Sequence, residues 1–449
     1  MKSKADPIRL LAIEVLDAIE AGMALPKDVL EQLSGGLNQR DRAFLMELTY
    51  GVIRYRDTLD WMLKPFLKKP AGLKPSTINN LRLALYQITH MRVPDWAAVN
   101  ESVEMEKLTG KHALVNGVLR GFLRNRHQLV VPTFEESPLE HIAISTSHPK
   151  WLVKRWLKRF GAVRSLNLAE ANNTPPALTL RVNTVAATTQ EVKAELDRLE
   201  IEHEPCRYSP HGIRLKENIS IANLDSLKGK IYIQDEASQL VSFLLCPDKG
   251  DYCLDACSAP GGKATHIAAI ANNKLHITAV DSSKRRVNKI IQNAKTLGIN
   301  SIHTVVANIK ELPCQREFDK ILLDAPCSSL GVIRKNPDIK YRHTEKSLQQ
   351  FSNNQLDLLQ TVSRHLKKDG TLVYSVCSTE CDEAEDVINK FLINNEAFFI
   401  INNMGTLIKR YGLDLADFNS HPHAQEGFYR TFPDVHSTDG FFFTVMSKR

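Results

Sequence analysis

Two short apolar runs in this sequence each lead into a cysteine, through Asp324-Ala-Pro-Cys327 in one case and Tyr374-Ser-Val-Cys377 in the other. Pro-Cys at the edge of a sheet is poor core material, so two thiols and one carboxyl, Asp324, are expected to act together. Carbon 5 of cytosine is a feeble nucleophile toward a methyl sulfonium. Adding a thiolate at carbon 6 turns the ring into an enamine whose carbon 5 can attack. A carboxyl must support the ring nitrogen that gains electron density, and a base must remove the carbon 5 proton so that the thiolate can leave. Cys377, Asp324 and Cys327 can supply these three functions. A disulfide between the cysteines is the rival reading, and the reducing compartment expected below argues against it. Cys206, Cys246, Cys253 and Cys314 read as small buried apolar residues. No CxxC pair occurs among the eight cysteines. Cys253/Cys257 and Cys377/Cys381 have no His or second Cys pair at ligand spacing, so no metal site is expected.

A third apolar run enters Asp255-Ala-Cys257-Ser258-Ala259-Pro260-Gly261-Gly262-Lys263 and then a helical pattern. A glycine pair just after a strand lets the backbone turn tightly and approach a ligand, with a helix N-terminus behind it. The spelling is neither G-x-G-x-x-G nor that of a phosphate loop, which weakens a dinucleotide or nucleoside triphosphate reading. The next strand ends in Asp281, where an acid is placed to bind ribose hydroxyls. Together these point to an adenosine-bearing cofactor that is not a dinucleotide. S-adenosylmethionine fits, since it carries no phosphate and holds a methyl on sulfonium.

The elements that would position these residues alternate from about residue 235. Strands are predicted at Tyr252–Ala256, His276–Val280, Ile302–Val306, Lys320–Leu323, Leu372–Val376 and Phe441–Val445. Helices are predicted at Lys263–Ala271, Lys284–Leu297, Leu348–Leu366 and Asp382–Leu392. Such alternation predicts a doubly wound α/β domain, in which ligands bind beyond the carboxyl ends of the strands. Residues 148–234 read as a small α+β subdomain, with strands near Leu178–Asn183, Ile213–Leu215 and Lys230–Ile233 and a basic helix carrying Lys150, Lys154, Arg155, Lys158 and Arg159. Residues 131–147, with Pro132 and Pro138, read as a linker. Residues 1–130 read as helix after helix with Pro70, Pro75 and Pro94 as breakers, and with basic groups at Lys64, Lys68, Lys69 and Lys74 and at Arg120, Arg124 and Arg126.

At 449 residues, with 43% hydrophobic and 24% charged residues, the chain is of globular composition, which excludes wholesale disorder. No run of about 18 apolar residues suggests a membrane span. The start leads into an amphipathic segment containing acids rather than a signal peptide, so a cytoplasmic protein without a membrane partner is expected. A net charge of +7 leans toward a polyanion such as RNA.

Two resemblances sharpen these expectations. Asp41-Arg-Ala-Phe-Leu, Tyr50-Gly-Val-Ile-Arg, Leu81-Arg-Leu-Ala-Leu-Tyr-Gln, Val99-Asn-Glu-Ser-Val-Glu and Val115-Asn-Gly-Val-Leu-Arg resemble the NusB family, a small helical RNA-binding fold. The second half resembles the RsmB/Nop2 family of RNA (cytosine-C5) methyltransferases. That likeness rests on Asp255 through Lys263, Asp324-Ala-Pro-Cys-Ser with Asn336-Pro-Asp, Tyr374-Ser-Val-Cys-Ser, Arg430-Thr-Phe-Pro and His436-Ser-Thr-Asp-Gly-Phe-Phe. Ser147-His-Pro-Lys-Trp-Leu, Leu180-Arg-Val-Asn and Gln234-Asp-Glu-Ala-Ser-Gln-Leu add to it. The resemblance implies a Rossmann-like methyltransferase domain over 235–449 with Cys377 as nucleophile and Cys327 in product release. It also implies that Cys257 through Lys263, Asp281 and Asp324 bind S-adenosylmethionine.

Two positions depart from the family pattern: Asn308 stands where an acid is usual on the adenine side, and Cys381-Asp-Glu383-Ala384 keeps the Glu of Pro-Glu-Glu-Asn but loses the Asn. The NusB-like module in front implies small-subunit (16S) ribosomal RNA as substrate, protein-free or at an early assembly stage; a monomer is expected. Transfer RNA as substrate, a non-catalytic assembly factor and a DNA cytosine methyltransferase are the competing readings. The last is expected to use the Pro-Cys thiol as nucleophile, which leaves the Cys377 motif unexplained.

Overall fold

The computed structural model describes residues 5–22, 25–68, 72–107, 109–217, 219–312, 317–402, 404, 408–413, 416–419 and 426–449. Cys314, Lys69 and Pro70 lie outside them. The chain forms two compact units, Met1–Asn173 with Asn336–Arg342, and Thr174–Lys335 with His343–Arg449.

The first unit is helical. Asn38 caps the helix Gln39–Arg54, its side-chain oxygen accepting the Asp41 N–H at 2.9 Å. Helices Pro75–His90, Asp95–Glu106 and His112–Asn125 follow, as the reading of helix after helix requires. Inside the stretch read as a linker, Pro138–Ser145 is also a helix: Pro138 suits the first helical turn, and Ile142 and Ala143 are buried. The apolar faces of these helices share one core around Leu45, Leu48, Leu81, Leu85, Leu119 and Phe122. The short segment Asn336–Arg342 belongs to this unit. Its Lys340 is fully buried and donates to the Arg54 and Thr146 carbonyls at 3.1 and 3.2 Å and to Asn173 Oδ1 at 2.7 Å. Next to it, the Tyr341 ring carries the Arg56 guanidinium at 3.4 Å, and its hydroxyl meets Ser147 Oγ at 3.0 Å.

The second unit holds two sheets. Strands β1 (Thr179–Val182), β2 (His203–Pro205), β3 (Gly212–Leu215) and β4 (Ile231–Ile233) form an antiparallel sheet in the order β2-β3-β1-β4. The larger sheet contains β5 (Tyr252–Asp255), β6 (His276–Asp281), β7 (Ile302–Val306), β8 (Phe318–Asp324), β9 (Leu366–Val376), β10 (Phe398–Ile400), β11 (Phe428–Thr431) and β12 (Phe441–Lys448). Its order is β10-β12-β9-β8-β5-β6-β7, with β11 beside β12. The run from β9 to β7 is parallel, whereas β12 is antiparallel to β9 and also pairs antiparallel with β10 and β11. This is the expected Rossmann-like sheet.

Alternate side chains of its strands feed two cores, as the period of a strand requires. Cys253, Ile277, Ala279, Leu322 and Val373 pack with Leu240, Ala264, Ile267, Val287 and Ile290 from helices Glu236–Leu244, Gly262–Ile270 and Lys284–Thr296. Leu254, Val280, Ile321, Leu323, Leu372 and Tyr374 pack with Leu358, Leu359, Val362, Val387 and Ile388 from Glu345–Ser363 and Glu385–Ile393. Helices therefore cover both faces, and the strand order reverses between β5 and β8, where a ligand crevice is expected.

Candidate active site

Five parallel strands, β5 to β9, end at this crevice, and each delivers a residue singled out above. At the end of β5 the loop is fixed by backbone bonds from Ala256 to Leu322, from Ser258 to Val280 and from Gly261 to Ser258, at 3.0, 2.9 and 2.7 Å. Gly261 is left-handed (φ +96°), and a Cβ there would stand 3.0 Å from Ile290 Cγ2, so this turn requires glycine. The helix Gly262–Ile270 starts directly behind it.

Asp281, at the end of β6, is buried. One of its oxygens accepts the Ser283 N–H at 2.9 Å and lies 3.0 Å from Arg286 Nη2. Asn308 follows β7, and its side-chain Oδ1 accepts the Lys310 N–H at 3.2 Å. Asp324, at the end of β8, is held on both oxygens: Lys263 Nζ at 2.6 Å and Ser375 Oγ at 2.7 Å. Burial opposes the charge of Lys263, but the Asp324 carboxylate outweighs it and raises the lysine above its usual value.

These ends surround a cavity of about 510 Å³ lined by Cys257, Ala259, Asp281, Asn308, Asp324, Cys327 and Cys377 among others. A neighbouring cavity of about 170 Å³ is lined by Cys257, Ser258, Ala259, Pro260, Gly262, Lys263 and Asp324, together with Asp255. Every residue named for cofactor binding from the sequence except Gly261 thus lines one of the two. The larger volume falls in the range of small-molecule pockets, roughly 300–1,000 Å³.

Asp255 is buried and lines the smaller cavity, and among the described residues neither carboxylate oxygen has a partner of good hydrogen-bond geometry. Burial pushes its carboxyl up to about 7. The folded state then holds a proton that the unfolded chain releases near pH 4, so this group should remove stability as pH rises from about 4 to about 7, by about 1.4 kcal/mol per pH unit. Asp255→Asn has nothing to titrate. Its unfolding free energy minus that of wild type, from urea denaturation, is expected to grow across that window and level off above it. A difference independent of pH would show that Asp255 is already ionised at low pH.

The two sulfurs, Cys327 Sγ and Cys377 Sγ, are 3.2 Å apart, and both residues are free thiols rather than a disulfide. Cys377 also meets Ser329 Oγ at 3.5 Å. The hydrogen bond from Cys327 draws the Cys377 thiol below its usual range despite burial, while the same bond and burial push Cys327 well up. Of the two, Cys377 is therefore the thiol that ionises more readily, with Cys327 as its hydrogen-bond donor. Elsewhere, Cys246 and Cys253 are buried as expected and Cys206 is half-buried.

Two supports were not apparent from the sequence. Arg181 of β1 is fully buried and donates to the Gly262 carbonyl, to Thr265 Oγ1 at 3.0 Å and to Gln234 Oε1 at 2.6 Å, with its guanidinium 4.9 Å above the Tyr232 ring. It clamps the first turn of the helix behind the glycine loop. A charge inside the apolar run Leu178-Thr-Leu-Arg-Val was the available signal. Lys335, downstream of Cys327, lies 2.6 Å from Asp439 Oδ2 and 3.4 Å from Asp235 Oδ2. Nothing in the sequence links those three positions.

A family model described as 16S rRNA methyltransferase RsmB/F matches residues 242–447. Models of the NusB family and of the RsmF/B-like ferredoxin-like domain match residues 6–124 and 148–222. A probable ribosomal RNA small subunit methyltransferase B from Bacillus subtilis is 35% identical, with 99% of this chain and 100% of that protein covered. The ribosomal RNA small subunit methyltransferase B of Escherichia coli O139:H28 is 34% identical over 87% of this chain and 91% of its own length. Among solved structures, a methyltransferase homologue from Pyrococcus horikoshii is 29% identical with a TM-score of 0.60, covering 70% of this chain and 99% of that one.

Proposed function

Because the chain belongs to the RsmB/RsmF family of 16S rRNA methyltransferases and methylates ribosomal RNA with S-adenosylmethionine, we propose that the atom it methylates is carbon 5 of a cytosine and that Cys377 is the nucleophile. The observation that carries this reading is the pair of sulfurs 3.2 Å apart on the wall of the cavity that also contains Asp324.

Cys257 through Lys263, Asp281 and Asn308 would hold the cofactor. The buried Asp255 carboxyl lining the smaller cavity and the tight Gly261–Gly262 turn fit a ligand without phosphate. When bound, S-adenosylmethionine supplies the electrophilic methyl group. The target base must leave its stack to reach a thiol at this depth. The Cys377 thiolate then forms a bond to carbon 6 while the carbon 5–carbon 6 π bond opens. Asp324 supports the ring nitrogen that receives the electron density. Its carboxylate is already oriented by Lys263 and Ser375.

Once the Cys377 charge has been consumed in the sulfur–carbon bond, the negative neighbour that held Cys327 protonated is gone. Cys327 can then lose its proton to solvent and take the proton from methylated carbon 5. The electrons of that C–H bond restore the ring double bond as Cys377 departs as a thiolate. Exposed Lys64, Lys68, Lys74, Arg120 and Arg124, with Lys154 and Lys158, offer charge for the RNA backbone. The test is transfer from methyl-labelled S-adenosylmethionine to protein-free small-subunit ribosomal RNA, with transfer RNA alongside, followed by nucleoside analysis. Label in 5-methylcytidine from the ribosomal RNA is expected. Label in any other nucleoside would overturn the carbon 5 assignment.

A further inference from the structure

Glu383 lies beyond the reacting groups and is fully buried. It sits on the short turn Cys381–Glu383. One oxygen accepts the Ser328 N–H at 2.7 Å and Gln355 Nε2 at 3.2 Å; the other accepts Ser378 Oγ at 2.6 Å and also Ser328 Oγ. Ser328 follows Cys327 and Ser378 follows Cys377. The same Gln355 amide reaches the carbonyl of Pro326, the residue before Cys327, at 3.0 Å. A single carboxylate thus grips the residue next to each thiol, and both cysteines stand on irregular loops where no strand ladder fixes their separation.

We propose that Glu383 is a positioning residue that clasps the two cysteine loops together and so fixes the sulfur–sulfur contact on which the Cys377 thiolate depends. The inference rests on the cysteine assignment above and deepens it. The physical case is one of counting acceptors. Burying a carboxylate is costly unless each lone pair is used, and here four donors from three segments use them. Burial raises the Glu383 carboxyl, against the lowering by Ser328 and Ser378. Asp324 and Lys263 face Cys377, while Glu383 and Cys377 face Cys327. Tyr374 lies beneath, its hydroxyl donating to the Glu383 carbonyl at 2.7 Å.

Glu383→Gln keeps the shape but replaces one acceptor oxygen by an NH₂ group, which cannot accept from a serine hydroxyl or a backbone N–H. Cys377 reactivity toward iodoacetamide, followed against pH by peptide-resolved mass spectrometry, reads the contact without any turnover. In the variant, the alkylation rate at pH 7 should fall on the order of 10-fold and its pH midpoint should rise. kcat should fall on the order of 10²-fold, with the S-adenosylmethionine Kd within about twofold of wild type. The Ser328→Ala/Ser378→Ala variant cuts the same tethers from the other side and should shift the alkylation midpoint in the same direction, which covers the case of a Glu383→Gln chain that does not fold. An unchanged midpoint in the folded variant overturns the clasp, whatever happens to kcat. A shifted midpoint in a protein that makes no 5-methylcytidine would keep the clasp and sink the functional reading instead.

Discussion

Cys377→Ala is expected to abolish methyl transfer, by at least roughly 10⁴-fold in kcat, the scale on which loss of a covalent nucleophile is felt. The methyl acceptor is carbon 5 of an aromatic ring, which has little nucleophilicity until a sulfur has added at carbon 6, and alanine offers no substitute. Cys327 does not replace it: the bond to Cys377 and burial make it the thiol of the pair that is harder to ionise. The substitution removes one half-buried sulfur and leaves the cofactor cavity wall from Cys257 to Asn308 intact, so the Kd for S-adenosylmethionine should stay within about twofold. Transfer of labelled methyl to small-subunit ribosomal RNA, with calorimetric titration of the cofactor, tests both halves. Near-normal turnover would remove Cys377 from the mechanism, and Cys327 would then be the thiol to examine.

Cys327→Ala should behave differently. Attack by Cys377 is slowed because its hydrogen-bond donor, 3.2 Å away, is lost. The adduct that does form has no base to take the carbon 5 proton, so it accumulates. The expected result is a protein–RNA species that survives denaturing electrophoresis, depends on S-adenosylmethionine and reaches a large fraction of the enzyme, against almost none for wild type. Cys327→Ala/Cys377→Ala should show no such band. If Cys327→Ala instead releases methylated RNA at the wild-type rate, another group removes the proton and the division of labour between the thiols is wrong.

The parts of the structure that could be read in advance are those whose signal is local. β7 lies at Ile302–Val306 as predicted, and the helix Lys284–Thr296 falls one residue short of its predicted range. The residues that line the cavities were visible because parallel strands put their chemistry at their carboxyl ends. The parts that escaped owe their form to distant partners. β10 and β11 have only three and four residues and exist as strands because β12 pairs with both. The helix expected over Asp382–Leu392 divides into a turn and a helix at Ala384, whose backbone (φ −123°, ψ −105°) is not helical. Arg181 sits in a four-residue strand, and only tertiary packing shows that its partners are the glycine loop and its helix. Lys340, within Asp338-Ile-Lys-Tyr-Arg-His, looks like a solvated lysine, yet it is capped by two carbonyls and an amide oxygen and is fully buried.

The location of Lys340 also bears on how the chain matures during synthesis. The helical unit is mostly made first, but its last piece, Asn336–Arg342, is separated from the rest by residues 174–335. At roughly 5–20 residues per second, that intervening stretch takes on the order of 10–30 s to translate. Through this interval the Arg54 and Thr146 carbonyls and the Asn173 amide oxygen lack the Lys340 amino group that donates to them. The helical unit, most of which is translated before the other, is therefore completed only by a segment translated after the cofactor loop and the Cys327 strand, so its maturation is tied to theirs.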